Sequence, residues 1–191
     1  MFRCITALLW IWSYTGMAED FVSVCDRTES VAEFITQTVS GQKGTQLSCE
    51  DITSEDLLEI NRVSIAFAGE TVLHSDDFSG LYGLEILNIR SNPYQFLPEG
   101  LFKDLVNLKT LVIIDTGLET YPDDFLEHTP LLENCHCFRN PLTTIDSTIL
   151  ERFAALQNLR VLDFDRSLNE DTKAFLESAF PSDSGVFLSF Y

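Results

Sequence analysis

Long apolar runs are scarce in this chain. After the first eighteen residues no stretch approaches the roughly 20 consecutive apolar residues needed to cross a hydrocarbon core, which excludes a later helical membrane span. Basic charge is scarce too. Twelve lysines and arginines face 30 aspartates and glutamates, a net charge of −18, and such an excess repels phosphate backbones and anionic lipid heads. Nucleic acid and anionic membrane surfaces are thereby excluded as partners, and a basic partner or none is favoured. The sequence also lacks a glycine-rich phosphate loop and any paired general acid and base.

The N-terminus has the outline of an export signal. Arg3 gives a positive start, Ile5 to Trp12 an apolar run, and Gly16-Met17-Ala18 a small-x-small cleavage site, so residues 1–18 read as a signal peptide. The apolar run is too short for an anchor. Cleavage after Ala18 leaves 173 residues, enough for one domain with a substantial core. Without Arg3, eleven basic residues face 30 acidic ones, a net −19. The product is expected to be secreted, extracellular or periplasmic, with no membrane insertion once the signal is removed.

The body of the chain repeats itself. Leu84-Glu85-Ile86-Leu87-Asn88-Ile89-Arg90-Ser91-Asn92 follows the leucine-rich pattern L-x-x-L-x-L-x-x-N, and the same spacing begins at Ile60, Leu108, Leu132 and Leu159. The first three intervals are 24 residues and the last is 27. Apolar residues hold the fourth and sixth positions of every unit: Val63 and Ile65, Leu87 and Ile89, Leu111 and Ile113, Cys135 and Cys137, Leu162 and Phe164. That alternation predicts short strands. Phe78, Phe102, Leu126 and Leu150 return later in each unit and fill the convex side. The ninth position is asparagine only at Asn92 and Asn140, with Ala68, Thr116 and Ser167 elsewhere, and Glu70 stands where a leucine is expected. One unit cannot bury its apolar face, whereas stacked units share a continuous core, so five units plus caps predict a solenoid over 60–165.

Asp77-Phe78-Ser79-Gly80-Leu81-Tyr82-Gly83-Leu84 and Leu97-Pro98-Glu99-Gly100-Leu101-Phe102 resemble the units of a family of exported bacterial leucine-rich-repeat proteins. The likeness extends upstream to Cys25-Asp26-Arg27-Thr28 and Cys49-Glu50-Asp51-Ile52-Thr53, which look like that family's flanking module, here placed at 19–59. The resemblance implies an α/β fold, a solenoid whose parallel strands line a concave face presented to partners. From the residues themselves, Ser30-Val31-Ala32-Glu33 reads as a capping box opening a helix with Val31, Phe34, Ile35 and Val39 on one face. Gly41 to Gly44 predicts a loop, and Thr53 to Ile60 a short helix entering the first repeat. In the last segment, 166–191, Ala174-Phe175-Leu176 and Val186-Phe187-Leu188-Ser189-Phe190 predict a helix and a strand forming a C-terminal cap with no cysteine staple.

Few residues offer chemistry. Cys4 leaves with the signal, and Cys25 and Cys49 flank the capping helix on an oxidising export route, which favours a bridge over two free buried thiols. Cys135-His136-Cys137 carries zinc-ligand types, but alternation along a strand sends both cysteines into the core and His136 outward, so no metal is expected. His74-Ser75-Asp76 are adjacent on a turn and cannot form a nucleophile–base–orienter line. Asp163, Asp165, Asn169 and Asp171 lack the glycine and terminal glutamate of a calcium loop. Neither catalysis nor a cofactor is expected.

The outward positions of the strands are more informative. They gather Arg62, Arg90, Lys109, Arg139, Arg160 and Arg166 with five acids, Glu85, Asp115, Glu133, Asp163 and Asp165, so the concave face is about +1 while the remainder carries the acid. At its centre Val112 and Ile114 lie beside His136 and Phe138, with Arg90 and Arg139 at the edge. An apolar cluster rimmed by polar groups marks a partner site, and arginines and aromatics are typical anchors. The expected function is therefore binding of a protein or glycan through this face. The alternative is a structural or adhesive surface role acting by self-association.

Overall fold

A computed structural model describes residues 21–191; the expected signal peptide, 1–18, lies outside them. Six short strands, β1 (Arg62–Ser64), β2 (Ile86–Asn88), β3 (Thr110–Val112), β4 (Asn134–His136), β5 (Val161–Phe164) and β6 (Phe187–Phe190), form one sheet in chain order. All neighbouring pairs are parallel. The register follows the repeat: Val63, Leu87, Leu111, Cys135, Leu162 and Leu188 stand opposite one another, and the first five are wholly buried. A second buried ladder runs through Ile65, Ile89, Ile113, Cys137 and Phe164. Burying each such aliphatic side chain contributes about 1.5–3 kcal/mol, and stacking lets one rung cover the next.

The convex side is filled by aromatics. Phe102 meets Phe125 edge-on at 5.6 Å between ring centres, Phe125 meets Phe153 at 6.1 Å, and Phe153 meets Phe164 at 5.5 Å. Phe125 thus takes the aromatic place assigned to its neighbour Leu126, which is buried beside it. The 27-residue interval also finds its cause here. A helix, α3 (Ser147–Ala155), capped by the Asp146 side chain on the Thr148 N–H, replaces the turns of earlier units.

Polar groups close each coil where the strand ends. Phe67, Ser91, Asp115 and Arg139, 24 residues apart, all adopt the left-handed conformation, with φ of 58, 56, 58 and 60°. The next position explains the signature asparagines. Asn140 Oδ1 accepts from the Thr116 and Leu118 N–H groups and the Thr116 hydroxyl, while its Nδ2 donates to the Ile113 carbonyl. Asn92 ties Ala68, Gly69 and Ile65 in the same way. Each asparagine therefore satisfies the preceding coil's backbone, and Thr116 at its own ninth position serves as a donor to the next.

The N-terminal module differs from expectation in its caps. Helix α1 spans Glu29–Lys43, starting a residue before Ser30 and running through Gly41 to a left-handed Gly44, so neither the Ser30–Glu33 box nor the 41–44 loop forms. Thr28 holds the cap position, but its N–H and hydroxyl both donate to the buried Asp77 carboxylate at 2.7 Å, 49 residues away. Tertiary bonding has displaced the local cap. Arg27 completes the joint, donating to the Asp77 and Ser79 carbonyls at 2.7 Å. Burial, only partly offset by Asp77, pushes its guanidinium down to about 10, so it remains charged at neutral pH. Val31, Ile35 and Val39 face the core, with Phe34 half-buried beside them. Glu70, the break in the leucine pattern, accepts from the Ser30 N–H and receives the helix start.

A disulfide joins Cys25 to Cys49 across 24 residues. The short helix α2 (Ser54–Leu58) opens on a Thr53–Asp56 capping box and leads into β1. Gly83 is obligatory next to it, because a Cβ there would stand 2.2 Å from the Leu58 carbonyl oxygen. In the last segment, helix α4 (Glu170–Ala179), capped by Asn169, packs on α3, and β6 adds a sixth parallel strand.

Candidate partner-binding face

Parallel register turns outward positions into rows that cross the strands. One row runs Ser64, Asn88, Val112, His136, Asp163, Ser189. The next lies just past the strand ends, where the Ser91 N–H bonds the Ile114 carbonyl and the Asp115 N–H bonds the Phe138 carbonyl, aligning Arg90 with Ile114 and Phe138. Val112, Ile114, His136 and Phe138 are all half-exposed, and Arg90 and Arg139 exposed. The structure therefore brings the six residues singled out from the sequence onto adjoining positions of units two to four.

Beyond them the face extends further than the repeat pattern indicated. Tyr191 follows β6 and tilts its ring against Phe138, 4.6 Å between centres, reaching across the intervening unit. Ser189 joins the neighbouring row. Sequence reasoning missed both because the sixth unit carries no leucine signature. The usable signal was the alternation Val186, Leu188, Phe190, which leaves Phe187, Ser189 and Tyr191 outward.

The electrostatics of the face are mostly internal. Lys109 pairs with Glu85 at 2.7 Å and Arg160 approaches Glu133 at 3.6 Å, so one row alternates in sign across units two to five. Buried Asp163 takes the His136 Nδ1 on one oxygen and the Ser189 hydroxyl on the other, each at 2.5 Å. This arrangement resembles a hydrolytic line but has the wrong centre. Catalysis by serine requires the imidazole between hydroxyl and carboxylate, whereas here the carboxylate lies between the other two and holds the serine proton. What the network does is orient the imidazole through its Nδ1. Asp165 accepts the Arg139 and Asn140 N–H groups and so serves the turn.

Among the described residues the two remaining cysteines, Cys135 and Cys137, are core residues, Sγ to Sγ 2.8 Å, on the opposite side of β4 from His136. Burial, then the hydrogen bond between its thiol and Cys137 Sγ, drives the Cys135 thiol well above its ordinary value. His74, Ser75 and Asp76 occupy a turn outside this face, and Asn169 and Asp171 belong to α4 and its cap, away from the concave rows. Among the described residues no three His, Cys, Asp or Glu converge on a metal position.

No protein-family model and no curated protein matches the chain. Solved structures do. A leucine-rich-repeat protein of Leptospira interrogans superposes with a TM-score of 0.60 at 21% identity, covering 73% of this chain and 34% of the other. The leucine-rich-repeat domain of APL1B gives 0.51 at 20% identity, covering 55% and 31%. The fold is thus an α/β leucine-rich-repeat solenoid, and the chain spans about a third of each neighbour's length.

Proposed function

We propose that this is an exported binding protein, secreted or envelope-associated, that recognises a segment of another protein or a glycan through its concave face. The supporting observation is the contiguous patch of Val112, Ile114, His136, Phe138 and Tyr191, flanked by Arg90 and Arg139, on a molecule whose other surfaces are acidic. Apolar groups this close together on a rigid sheet bury area on contact without much ordering cost. The signal-like start of the sequence and the Cys25–Cys49 bridge fit an export route.

The test couples capture to surface substitution. Partners retained by the wild-type protein under stringent washing are compared with those retained by Ile114→Asp, which places a charge at the centre of the patch while leaving the core untouched. Loss of a partner in the variant, with circular dichroism unchanged, supports the reading. Equal capture by both proteins refutes it. Intact mass of the exported form checks the localisation, since cleavage after Ala18 removes Trp10 and Trp12.

A further inference from the structure

The charges of the concave face are not equally engaged. Lys109 and Arg160 have carboxylate partners within the face, whereas among the described residues no carboxylate pairs with Arg62, Arg90, Arg139 or Arg166. The acids are spent differently. Asp163 is buried between His136 and Ser189, and both Asp165 oxygens accept backbone N–H groups, so Asp115 alone remains exposed there without a basic partner. Four guanidinia without a carboxylate partner, Arg166 donating its Nε to the Phe190 carbonyl, leave the face about +1 by its charged residues on a chain of net −18. A basic partner, favoured by total charge, would meet repulsion at the patch itself.

Resting on the concave-face reading above, we propose that the partner is a protein segment in extended conformation carrying two carboxylates that flank an apolar side chain. Arg90 belongs to unit two, in the row of Ile114 and Phe138, and Arg139 to unit four, one residue beyond Phe138, so two strand steps of about 4.8 Å and one residue along the strand put them roughly 10 Å apart. Between them lie Ile114, half-exposed, and the exposed Asp115, whose carboxylate takes the Ser91 hydroxyl, with Val112 in the adjoining row. In an extended segment, side chains alternate, so residues i, i+2 and i+4 share a side and span about 13 Å. The flexible arginine stems accommodate the difference. The pattern acidic-x-apolar-x-acidic therefore seats one carboxylate on Arg90, its apolar residue on Ile114 and the other carboxylate on Arg139, with the segment crossing the strands. Arginine suits this role because its planar fork engages a carboxylate through two hydrogen bonds.

The probes are three fluorescein-labelled heptapeptides, Gly-Glu-Ser-Leu-Ser-Glu-Gly and its twins with both glutamates replaced by glutamine or by lysine, titrated against the purified protein by fluorescence anisotropy. Exposed charge pairs contribute about threefold each, so the acidic peptide is expected to bind about tenfold more tightly than the glutamine twin. That preference should vanish in Arg90→Gln/Arg139→Gln, a surface change that leaves the core intact. Equal affinity for the acidic and glutamine peptides, tighter binding of the lysine peptide, no measurable binding of any of them, or a preference that survives the double substitution overturns the proposal. Failure of the face itself is read separately. If Ile114→Asp still abolishes capture of a natural partner while the peptides show no charge preference, only the acidic assignment falls; if Ile114→Asp leaves capture unchanged, both fall.

Discussion

Replacing Asp77 tests whether the N-terminal module and the repeats are one cooperative unit. The carboxylate is wholly buried, accepting the Thr28 N–H and hydroxyl and the His74 N–H, each at 2.7 Å. Its charge also faces Arg27, whose guanidinium is held by backbone carbonyls beside it. Asp77→Ala leaves that cation buried without its nearest counter-charge and strands three donors. Breaking a buried pair from one side costs about 3–5 kcal/mol, a large fraction of a stability on the order of 10 kcal/mol. With a urea slope of about 2 kcal/mol/M, the midpoint should fall by about 2 M. The loss should also be local. A solenoid's stability is a sum over units and interfaces, so hydrogen exchange should report deprotection of α1 while β4 to β6 keep their protection. Asp77→Asn, which retains one acceptor oxygen, should lose less. A midpoint within about 0.3 M of the parent, with α1 protection unchanged, would refute the joint as an energetic element.

Leu87→Ala opens a cavity in the central ladder and should cost about 2–5 kcal/mol, whereas Phe67→Gly, which deletes a larger side chain that is 75% exposed at φ 58°, should gain about 0.5–1 kcal/mol by relieving left-handed backbone; thermal melts of the two variants check both signs. Cys25→Ser/Cys49→Ser removes a 24-residue cross-link and should cost about 3 kcal/mol by denaturant titration. Cys135 should resist alkylation in the folded protein across neutral to mildly alkaline pH, because burial holds its thiol protonated, and react at once on unfolding; fast native labelling would contradict the β4 register. Phe138→Ala should lower partner affinity by roughly 2 kcal/mol and folding stability by only about 1, since it forfeits the Tyr191 ring contact but no core rung.

The parts of the fold that were legible in the sequence are those set by periodicity. A 24-residue offset places Leu87 between Val63 and Leu111 whatever the turns do, so the ladders, the strands and the six face residues could be placed by counting. What escaped depends on contacts distant in sequence. Ser30 and Glu33 form a sound local cap on paper, but Asp77, 49 residues beyond Thr28, offers stronger bonds to the helix start and shifts its boundary. Likewise Tyr191 belongs to the face only because Phe187–Phe190 pairs with Val161–Phe164, a unit without the leucine signature. Arginine positions were countable, but which of them lack a carboxylate partner is decided by side-chain geometry between rows.

Internal pairing also bears on how tightly such a face could bind. Immobilising a free, rotamer-rich side chain costs about 0.5–1.5 kcal/mol on association, so a face whose side chains are already held gives up less on contact. Here Lys109 and Glu85 restrain each other, as do His136, Asp163 and Ser189, and Phe138 lies against Tyr191. The side chains left to order are chiefly Arg90 and Arg139. It follows that removing a restraining residue should weaken binding even though it touches no partner. Asp163, buried beneath His136, is such a residue: without its carboxylate the imidazole loses its fixed orientation, and the patch acquires a rotor at its centre. The penalty should appear as a less favourable binding entropy, distinguishing it from the lost contact area of Phe138→Ala, where binding should release less heat and show a smaller heat-capacity change.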